Sequence, residues 1–416
     1  MRILVISQYF WPEVFRINDL CTELVKRKHQ VTVLTGKPNY PDGIVFPQYR
    51  KNPSDFISFE GTDIVRVPMI SRGRGNSFQL LMNYLSFVFF ASIWGWVKLR
   101  KSEFDIIFVF EPSPVTVGLP AVFLKKMKAV PVVFWALDLW PETLEAIGVV
   151  KSKFLLNQIG KIVSFIYNRC DLVLGQSRAF LDGIALYCND REKIKYFPSW
   201  AEDIFSNSAC RTINEIVKFE GYFKVLFAGN VGEAQDFPAI IAAAEALKVR
   251  EARVKIFIVG DGRMFSALQQ QVRDKGLEHY LYLLGRHPLE SMPDFYASAD
   301  ALLLSLKQNP IFSMTIPGKL QSYMMAGKPV LAMLDGEGAR IVDDSASGYS
   351  CRSGNSISLA DNILAMSQLD NTQLQQLGSN AKDYAQREFG RDRLISQLEH
   401  WFVELVDVKN PVKGVE

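Results

Sequence analysis

Histidine and cysteine are scarce in this chain of 416 residues, and neither is spaced for metal binding. The five cysteines are scattered and form no CxxC pair, which is typical of reduced thiols in a cytoplasmic protein. The histidines form no HExxH pattern, which argues against a zinc enzyme. They are His29, His279, His287 and His400.

Several common nucleotide and hydrolase motifs are also missing. No GxxxxGK[ST] loop occurs, which argues against ordinary ATPase or kinase chemistry, and no GxGxxG follows the first predicted strand, which argues against dinucleotide binding. No GxSxG is present for a serine hydrolase. A net charge of +3 with no basic run interleaved with aromatics argues against a nucleic-acid partner. The first residues show no signal-peptide pattern.

Alternating apolar runs and helical segments predict two doubly wound, Rossmann-like α/β domains, because near-continuous apolar strands separated by helices form parallel sheets covered on both faces. The polar stretch 203–220 is the predicted linker. We expect a first domain at 1–205, a second domain at 220–390 and a final helix at 391–408 that crosses back to the first domain. The predicted strands of the first domain are 3–7, 30–35, 63–67, 105–110, 130–136, 172–175 and 193–197.

One segment, 78–97, is almost entirely apolar and has basic flanks at Lys98, Arg100 and Lys101. About 20 apolar residues are long enough to span a bilayer. A span would sever the first predicted strands from the rest of their sheet. We therefore expect a helix partly embedded in the membrane interface, with its basic flanks near anionic lipid.

Glycine-rich turns follow several predicted strands of the second domain. Ligands of such sheets bind beyond the carboxyl ends of the strands, and glycine lets a ligand approach the backbone closely. Lys319 lies at a predicted helix start, where unpaired N–H groups favour a phosphate. These features predict a nucleoside diphosphate in the cleft between the domains. The predicted donor-binding residues here are Gly229, Asn230, Gly232, Gly260, Gly262, Arg286 and Lys319.

No Asp-x-Asp pair occurs anywhere in the chain. Such a pair commonly holds the metal that bridges the phosphates of a sugar nucleotide. Without such a metal, basic side chains and helix ends must stabilise the negative charge on the leaving diphosphate. We predict no bound metal and no cofactor.

Asp138 and Glu142 end a buried strand of the first domain and are the predicted catalytic residues. A carboxylate there could accept a proton from a hydroxyl or bind a sugar. The alternative is that Asp138 caps the following helix, with Pro141 as an early helical residue.

The predicted acceptor contacts lie in three loops of the first domain. Arg16, at a helix start, could face a phosphate or contact Glu13 or Asp19 instead. Arg72 and Arg74 could hold the diphosphate of a membrane-anchored acceptor, or serve as plain surface charge. The rigid turn after the second strand, suited to touching an acceptor, contributes Asn39 and Tyr40.

Taken together, the sequence resembles the retaining glycosyltransferase family 4, which has the GT-B fold, and within it the O-antigen and capsule enzymes, especially N-acetyl-L-fucosamine transferases. The segments that carry the resemblance are 9–13 (YFWPE), 35–41 (TGKPNYP), 138–142 (DLWPE), 229–235 (GNVGEAQ) and 317–323 (PGKLQSY). The resemblance implies a nucleotide-sugar donor in the second domain and an undecaprenyl-diphosphate-linked sugar acceptor in the first. It also implies that Lys319 takes the diphosphate and that the Arg286 region takes the base.

Two departures from the family pattern matter. The family carries two glutamates near the lysine, where this chain has Met314 and Ser322, so Glu337 becomes a candidate for ribose or sugar recognition. Asp138 stands about where the family has a histidine. A base there could support inversion, whereas the family retains, so the stereochemical course stays open.

The sequence therefore predicts a metal-independent transferase of O-antigen or capsule synthesis, peripheral on the cytoplasmic face of the bacterial plasma membrane, with UDP-N-acetyl-L-fucosamine as the expected donor. The alternatives are a GT-B epimerase acting on a free sugar nucleotide, since fold does not fix function, and a non-catalytic sugar-nucleotide-binding protein.

Overall fold

The computed structural model describes residues 1–73, 76–201, 203–205 and 211–409. It divides into two compact units, Met1–Phe197 with Ile395–Glu416, and Pro198–Leu394. The change of unit falls at Pro198, ahead of the polar stretch 203–220. Part of that stretch, 206–210, lies outside the described residues.

The first unit is built on an eight-stranded sheet in the order β3-β4-β2-β1-β5-β6-β7-β8. Its strands are β1 (Arg2–Ile6), β2 (Gln30–Thr35), β3 (Ser58–Phe59), β4 (Thr62–Arg66), β5 (Ile106–Glu111), β6 (Val132–Ala136), β7 (Leu172–Gly175) and β8 (Ile194–Tyr196). Its helices before the second unit are α1 (Arg16–Lys26), α2 (Pro47–Lys51), α3 (Ser77–Leu99), α4 (Gly118–Lys128), α5 (Glu142–Ala146), α6 (Lys153–Arg169) and α7 (Arg178–Ala185).

The central strands form because their residues are apolar without interruption. Every residue of β5 and of β6 is buried, as expected for strands covered on both faces. All pairs in this sheet are parallel except β3 with β4, a two-residue antiparallel hairpin at the sheet edge. Strand β3 was not predicted, because a strand of two residues is too short to show alternating apolar and polar positions.

The second unit is built on a six-stranded, all-parallel sheet in the order β11-β10-β9-β12-β13-β14. Its strands are β9 (Phe223–Ala228), β10 (Val254–Val259), β11 (Leu281–Gly285), β12 (Ala301–Ser305), β13 (Val330–Met333) and β14 (Gly348–Cys351). Its helices are α8 (Asn214–Val217), α9 (Phe237–Val249), α10 (Phe265–Asp274), α11 (Met292–Ser298), α12 (Pro310–Met314), α13 (Gly318–Met325), α14 (Glu337–Asp344), α15 (Ser356–Ser367) and α16 (Asn371–Phe389).

The last helix, α17 (Arg391–Lys409), joins the first unit from Ile395 onward. Phe402 is buried, and its ring centroid lies 5.8 Å from that of Phe108 in β5. Glu399 accepts a hydrogen bond from Arg27 at 2.8 Å. The end of the chain thus supplies core and surface contacts to the domain that the start of the chain builds.

Candidate functional site

In the second unit, strand β9 lies between β10 and β12, so the sheet grows from it in both directions. Ligands of such sheets bind beyond the carboxyl ends of the strands at this switch point. Gly229 follows β9 with a φ of 134° and Gly260 follows β10 with a φ of 140°. A β-carbon on Gly260 would lie 1.8 Å from the carbonyl oxygen of Gly229, so the two turns touch backbone to backbone.

The structure brings the predicted glycine turns together at this edge. The Gly229 N–H donates to Val259 at 2.8 Å, and the Gly260 N–H donates to Gly285 at 2.7 Å. The Val231 N–H, between Asn230 and Gly232, donates to Asp261, which precedes Gly262, at 2.9 Å. Arg286 follows Gly285 directly and is exposed.

Lys319 is the second residue of α13 and reaches over the β9 turn. A β-carbon on Gly229 would lie 2.3 Å from Lys319 Cε, so glycine is required for the lysine to pass. The ammonium lies 3.9 Å from the centroid of the Phe227 ring, within cation–π range. It is excluded from solvent and has no hydrogen-bond partner among the described residues.

Burial without a counter-charge lowers the pKa of Lys319 from 10.5 to about 7. A charged group left unpaired in the interior is costly, and the cost ends when an anion binds. The ammonium and the first amides of α13 lie at the same strand edge. This arrangement suits a diphosphate.

Two residues that contact the site around Lys319 were not predicted from the sequence. The hydroxyl of Tyr323, which is buried on α13, contacts both the N–H and the carbonyl oxygen of Ala228. The Ala228 N–H donates to its hydroxyl at 2.9 Å, and that hydroxyl lies 3.1 Å from the Ala228 carbonyl. Phe227 supplies the ring under the Lys319 ammonium. Tyr323 thereby fixes the end of β9 immediately before Gly229.

Glu337, the candidate for ribose or sugar recognition, is the first residue of α14 and is buried. Its carboxylate pairs with Arg340 at 2.8 Å. A β-carbon on the neighbouring Gly338 would lie 3.4 Å from Pro317, which precedes α13. The amino ends of α13 and α14 therefore adjoin, and both favour an anion at this edge.

In the first unit, Asp138 follows β6 and is largely buried. Its carboxylate accepts hydrogen bonds from the Trp140 indole at 3.1 Å and from the Thr143 hydroxyl. Burial raises the pKa of Asp138 above its ordinary value, and the Thr143 and Trp140 donors oppose that rise. A carboxylate of raised basicity at a strand end suits a general base.

Glu111, the last residue of β5, is fully buried beside Asp138. The Asp138 N–H donates to Glu111 Oε2 at 3.3 Å. Burial, and then the Asp138 charge, raise the pKa of Glu111 well above its ordinary value. No role was predicted for Glu111, because its partner Asp138 lies 27 residues later, just after the next strand.

Glu142, the second predicted catalytic residue, begins α5 and accepts a hydrogen bond from the Tyr187 hydroxyl at 2.8 Å. Asp138 instead contacts the next residue, Thr143. The structure thus gives Glu142 a partner of its own, and its catalytic role stays a prediction.

Arg72 lies beside the aromatic rings of the first unit's loops. Its guanidinium carbon is 5.1 Å from the ring centroid of Tyr40 and 5.9 Å from that of Tyr9. Among the described residues, no carboxylate is within ion-pairing distance of Arg72. Asn39 is buried, donates to the Lys37 carbonyl at 2.8 Å and accepts from the Arg72 N–H at 3.1 Å, so its side chain shapes the loop.

Glu13 organises the same loops. Its buried carboxylate accepts hydrogen bonds from the N–H groups of Phe10, Asn39 and Tyr40, at 2.7 to 3.1 Å. Arg16 begins α1, next to Phe15, whose ring stacks on Tyr9 with 5.4 Å between centroids. The predicted contact at Arg74 lies outside the described residues.

Within the described ranges, no group of three or more histidine, cysteine, aspartate or glutamate residues could hold a metal ion.

Comparison with known proteins gives one glycosyltransferase domain for each half of the chain. Residues 14–200 match the Glycosyl transferase 4-like domain, and residues 222–368 match Glycosyl transferases group 1. The probable glycosyltransferase WbjE of Pseudomonas aeruginosa is 26% identical over 327 residues, which cover 76% of this chain and 79% of that protein. The putative colanic acid biosynthesis glycosyl transferase WcaI of Escherichia coli K12 is 22% identical over 351 residues, with 79% and 82% covered.

Solved structures share the fold at low identity. HepE of Anabaena, solved in complex with UDP, superposes with a TM-score of 0.70 at 16% identity, covering 97% of this chain and all of that one. Sucrose-phosphate synthase of Thermosynechococcus elongatus gives 0.72 at 15% identity, covering 98% and 99%. Together with the two domain matches and the two parallel-sheet units, these likenesses identify the chain as a glycosyltransferase of the GT-B architecture.

Proposed function

We propose that this glycosyltransferase moves a sugar from a nucleoside-diphosphate donor to a lipid-linked sugar during assembly of O-antigen or capsular polysaccharide. The observation that carries the proposal is the buried, unpaired Lys319 ammonium over the Gly229 turn. HepE was solved with UDP and with UDP-glucose, and the relative WcaI is named for colanic acid biosynthesis, which supports a UDP-sugar and a polysaccharide role. UDP-N-acetyl-L-fucosamine is the first donor to test, because of the subgroup that the sequence resembles.

In the proposed reaction, an acceptor hydroxyl oxygen bonds to the anomeric carbon of the donor while the bond from that carbon to the diphosphate breaks. The hydroxyl proton passes to the Asp138 carboxylate. UDP leaves with its new negative charge facing Lys319 and the helix amides. This route predicts inversion at the anomeric carbon, and an NMR measurement of the product's anomeric configuration decides between it and retention.

For the acceptor, we propose that Arg72 binds the diphosphate of an undecaprenyl carrier. Its guanidinium has a fork of donors that matches phosphate oxygens, and the Tyr9 and Tyr40 rings hold it in place. The sugar of the acceptor would then lie toward Asp138. Tyr84 supports this placement, since the Asp138 and Arg72 charges both act on its hydroxyl.

We also propose that α3 docks on the membrane surface. One helix in the described residues, at Phe78–Leu99, is long and apolar enough to cross a bilayer, and only 28% of its apolar window is buried. The buried Asn83 side chain accepts a hydrogen bond from Gln8 at 2.7 Å, which ties the inner face of α3 to the end of β1. Outward-facing side chains remain for lipid. They are Phe78, Leu81, Leu85, Phe89, Ile93, Trp94 and Val97.

Replacing Phe89 and Trp94 together with serine will weaken binding to anionic vesicles by about tenfold or more. Full burial of a large apolar side chain contributes roughly 1.5–3 kcal/mol, and about half of each of these two side chains is exposed and left for lipid. Cosedimentation with phosphatidylglycerol-containing vesicles measures the change. Val249→Ser, at an exposed apolar residue of the second unit, is the matched control. Equal vesicle binding by the double variant and the wild type would remove α3 from the docking surface.

Affinity for UDP will fall by about 50-fold between pH 7 and pH 9, because the binding-competent protonated Lys319 becomes scarce above its pKa of about 7. UDP is already fully ionised in this range, so its own titration does not contribute. Calorimetry in buffers of different ionisation enthalpy should show uptake of about one proton per UDP at pH 9. An affinity that is flat across this range would show that Lys319 is not the titrating ligand.

Release of UDP from the donor in the presence of a lipid-linked acceptor and EDTA tests the function as a whole. We expect acceptor-dependent release that chelation leaves unchanged. Donor turnover without acceptor would point to an epimerase instead. Donor binding without turnover, across a panel of UDP-, GDP- and dTDP-sugars and acceptors, would contradict transfer.

A further inference from the structure

Glu111 and Asp138 form a carboxyl pair at the carboxyl ends of two adjacent strands. Strands β5 and β6 are parallel, and Glu111 pairs in register with Ala136, two residues before Asp138. The Asp138 N–H donates to Glu111 Oε2 at 3.3 Å. Within the described part of the chain, neither carboxyl has a lysine, arginine or histidine within ion-pairing distance.

The two carboxyl groups differ in the donors that reach them. Asp138 receives the Trp140 indole N–H and the Thr143 hydroxyl, and Ser113 also acts to lower its pKa. Glu111 receives only main-chain amides, and its Oε1 has no partner among the described residues. Because hydrogen bonds to a carboxylate stabilise its charge, the negative charge is better placed on Asp138.

Among the residues that the structure describes, no cation forms an ion pair with these two carboxyl groups. The titratable groups that face the pair are Tyr84 from α3 and Tyr167 from α6, and burial raises the pKa of both phenols. Two neighbouring carboxylates in a buried site repel each other, which favours the state in which the pair holds one proton. The pKa of Glu111, raised well above its ordinary value, agrees with this assignment.

We propose that Glu111 carries that proton at neutral pH and thereby keeps Asp138 ionised, which makes Glu111 a positioning residue for the reaction. The effect of Glu111 on catalysis rests on the proposed role of Asp138 as the base, whereas the protonation of Glu111 does not. A protonated Glu111 leaves Asp138 as the only negative charge of the pair. An ionised Glu111 would drive the proton onto Asp138 and remove the base.

Infrared difference spectroscopy of the ligand-free protein at pH 7 tests the assignment directly, since a protonated carboxyl has a stretching band distinct from that of a carboxylate. Glu111→Gln should lose one protonated-carboxyl band, and Asp138→Asn should keep it. Glu145→Gln, at an exposed glutamate of α5, is the matched control and should keep the band as well. Any other pattern overturns the proposal. If Glu111→Gln does not fold, the Asp138→Asn spectrum alone decides.

Kinetics then test the positioning role. Glutamine mimics a neutral carboxyl, so Glu111→Gln should leave the acid limb of the pH–rate profile in place. An acid limb moved to lower pH would show that Glu111 is charged in the wild type. Because the infrared result needs no substrate, a failure to detect transfer would count against the proposed function and leave the proton assignment standing.

Discussion

Lys319→Met will reduce UDP affinity by at least about 30-fold and will stabilise the ligand-free protein. The loss follows because truncating one partner of a buried charge pair costs roughly 2–5 kcal/mol, and the ammonium is the buried cation of this corner. Methionine keeps the length of the side chain and its packing over Gly229. The variant therefore removes the charge and little else.

The gain in stability has a defined pH dependence. The pKa of Lys319 is about 7 in the folded protein and 10.5 when unperturbed, so the folded state disfavours the charged lysine by about 4 kcal/mol at pH 7. Between pH 7 and 10.5 the unfolded chain binds more protons than the folded one, so wild-type stability rises with pH. The advantage of Lys319→Met should thus be largest at and below pH 7 and shrink toward pH 10.

Urea unfolding and UDP titration of the same samples measure both effects. Lys275→Met is the matched control, because Lys275 is an exposed lysine of the second unit in a surface ion pair with Glu245, and such pairs contribute little. It should bind UDP like the wild type. A Lys319→Met protein with wild-type UDP affinity, or with lower stability than the wild type at pH 7, would contradict the proposal that Lys319 binds the diphosphate.

Asp138→Asn will lower kcat for sugar transfer by about 10² to 10⁴, the range over which a positioned base acts. Asparagine keeps the shape of the side chain but cannot accept the acceptor's proton. UDP affinity should stay at the wild-type value, since we propose that the second unit holds the donor. UDP release at saturating donor and acceptor measures the effect, and a UDP titration confirms that the donor still binds.

Asp182→Asn serves as the control, because Asp182 is an exposed aspartate on α7. Transfer by Asp182→Asn should match the wild type. If Asp138→Asn kept a third or more of the wild-type rate, Asp138 would be a structural residue that holds Trp140 and Thr143, and another group would take the proton.

The strands of the first sheet were predictable to within one or two residues where they are buried on both faces, because an unbroken apolar run has few other interpretations. The helix α16 was not predicted. Its buried residues are mostly small, at Gly378, Ala381 and Ala385, and small residues give a weak helical pattern. The edge strand β14 was missed for a related reason, since all four of its residues are only half-buried.

The same distinction holds for the sites. Lys319 and Asp138 were recognisable because each ends or begins an element in a short local motif. The contacts that shape the two sites could not be predicted in this way. Tyr323 contacts Ala228 across 95 residues of sequence, and Glu111 contacts Asp138 across 27. A linear pattern carries no information on which distant side chain will fill such a position, and the functional roles of Lys319 and Asp138 stay predictions.

The contacts of α17 bear on the order in which the domains can be completed during translation. Phe402 and Glu399 are synthesised after the second unit, yet they contact Phe108 and Arg27, which precede it in the chain. A nascent first domain must therefore wait, with that part of its surface uncovered, until the whole second domain has been synthesised. Until then Phe108 lacks the ring of Phe402 that packs on it, and apolar surface left uncovered in this way makes a partly folded chain prone to aggregation.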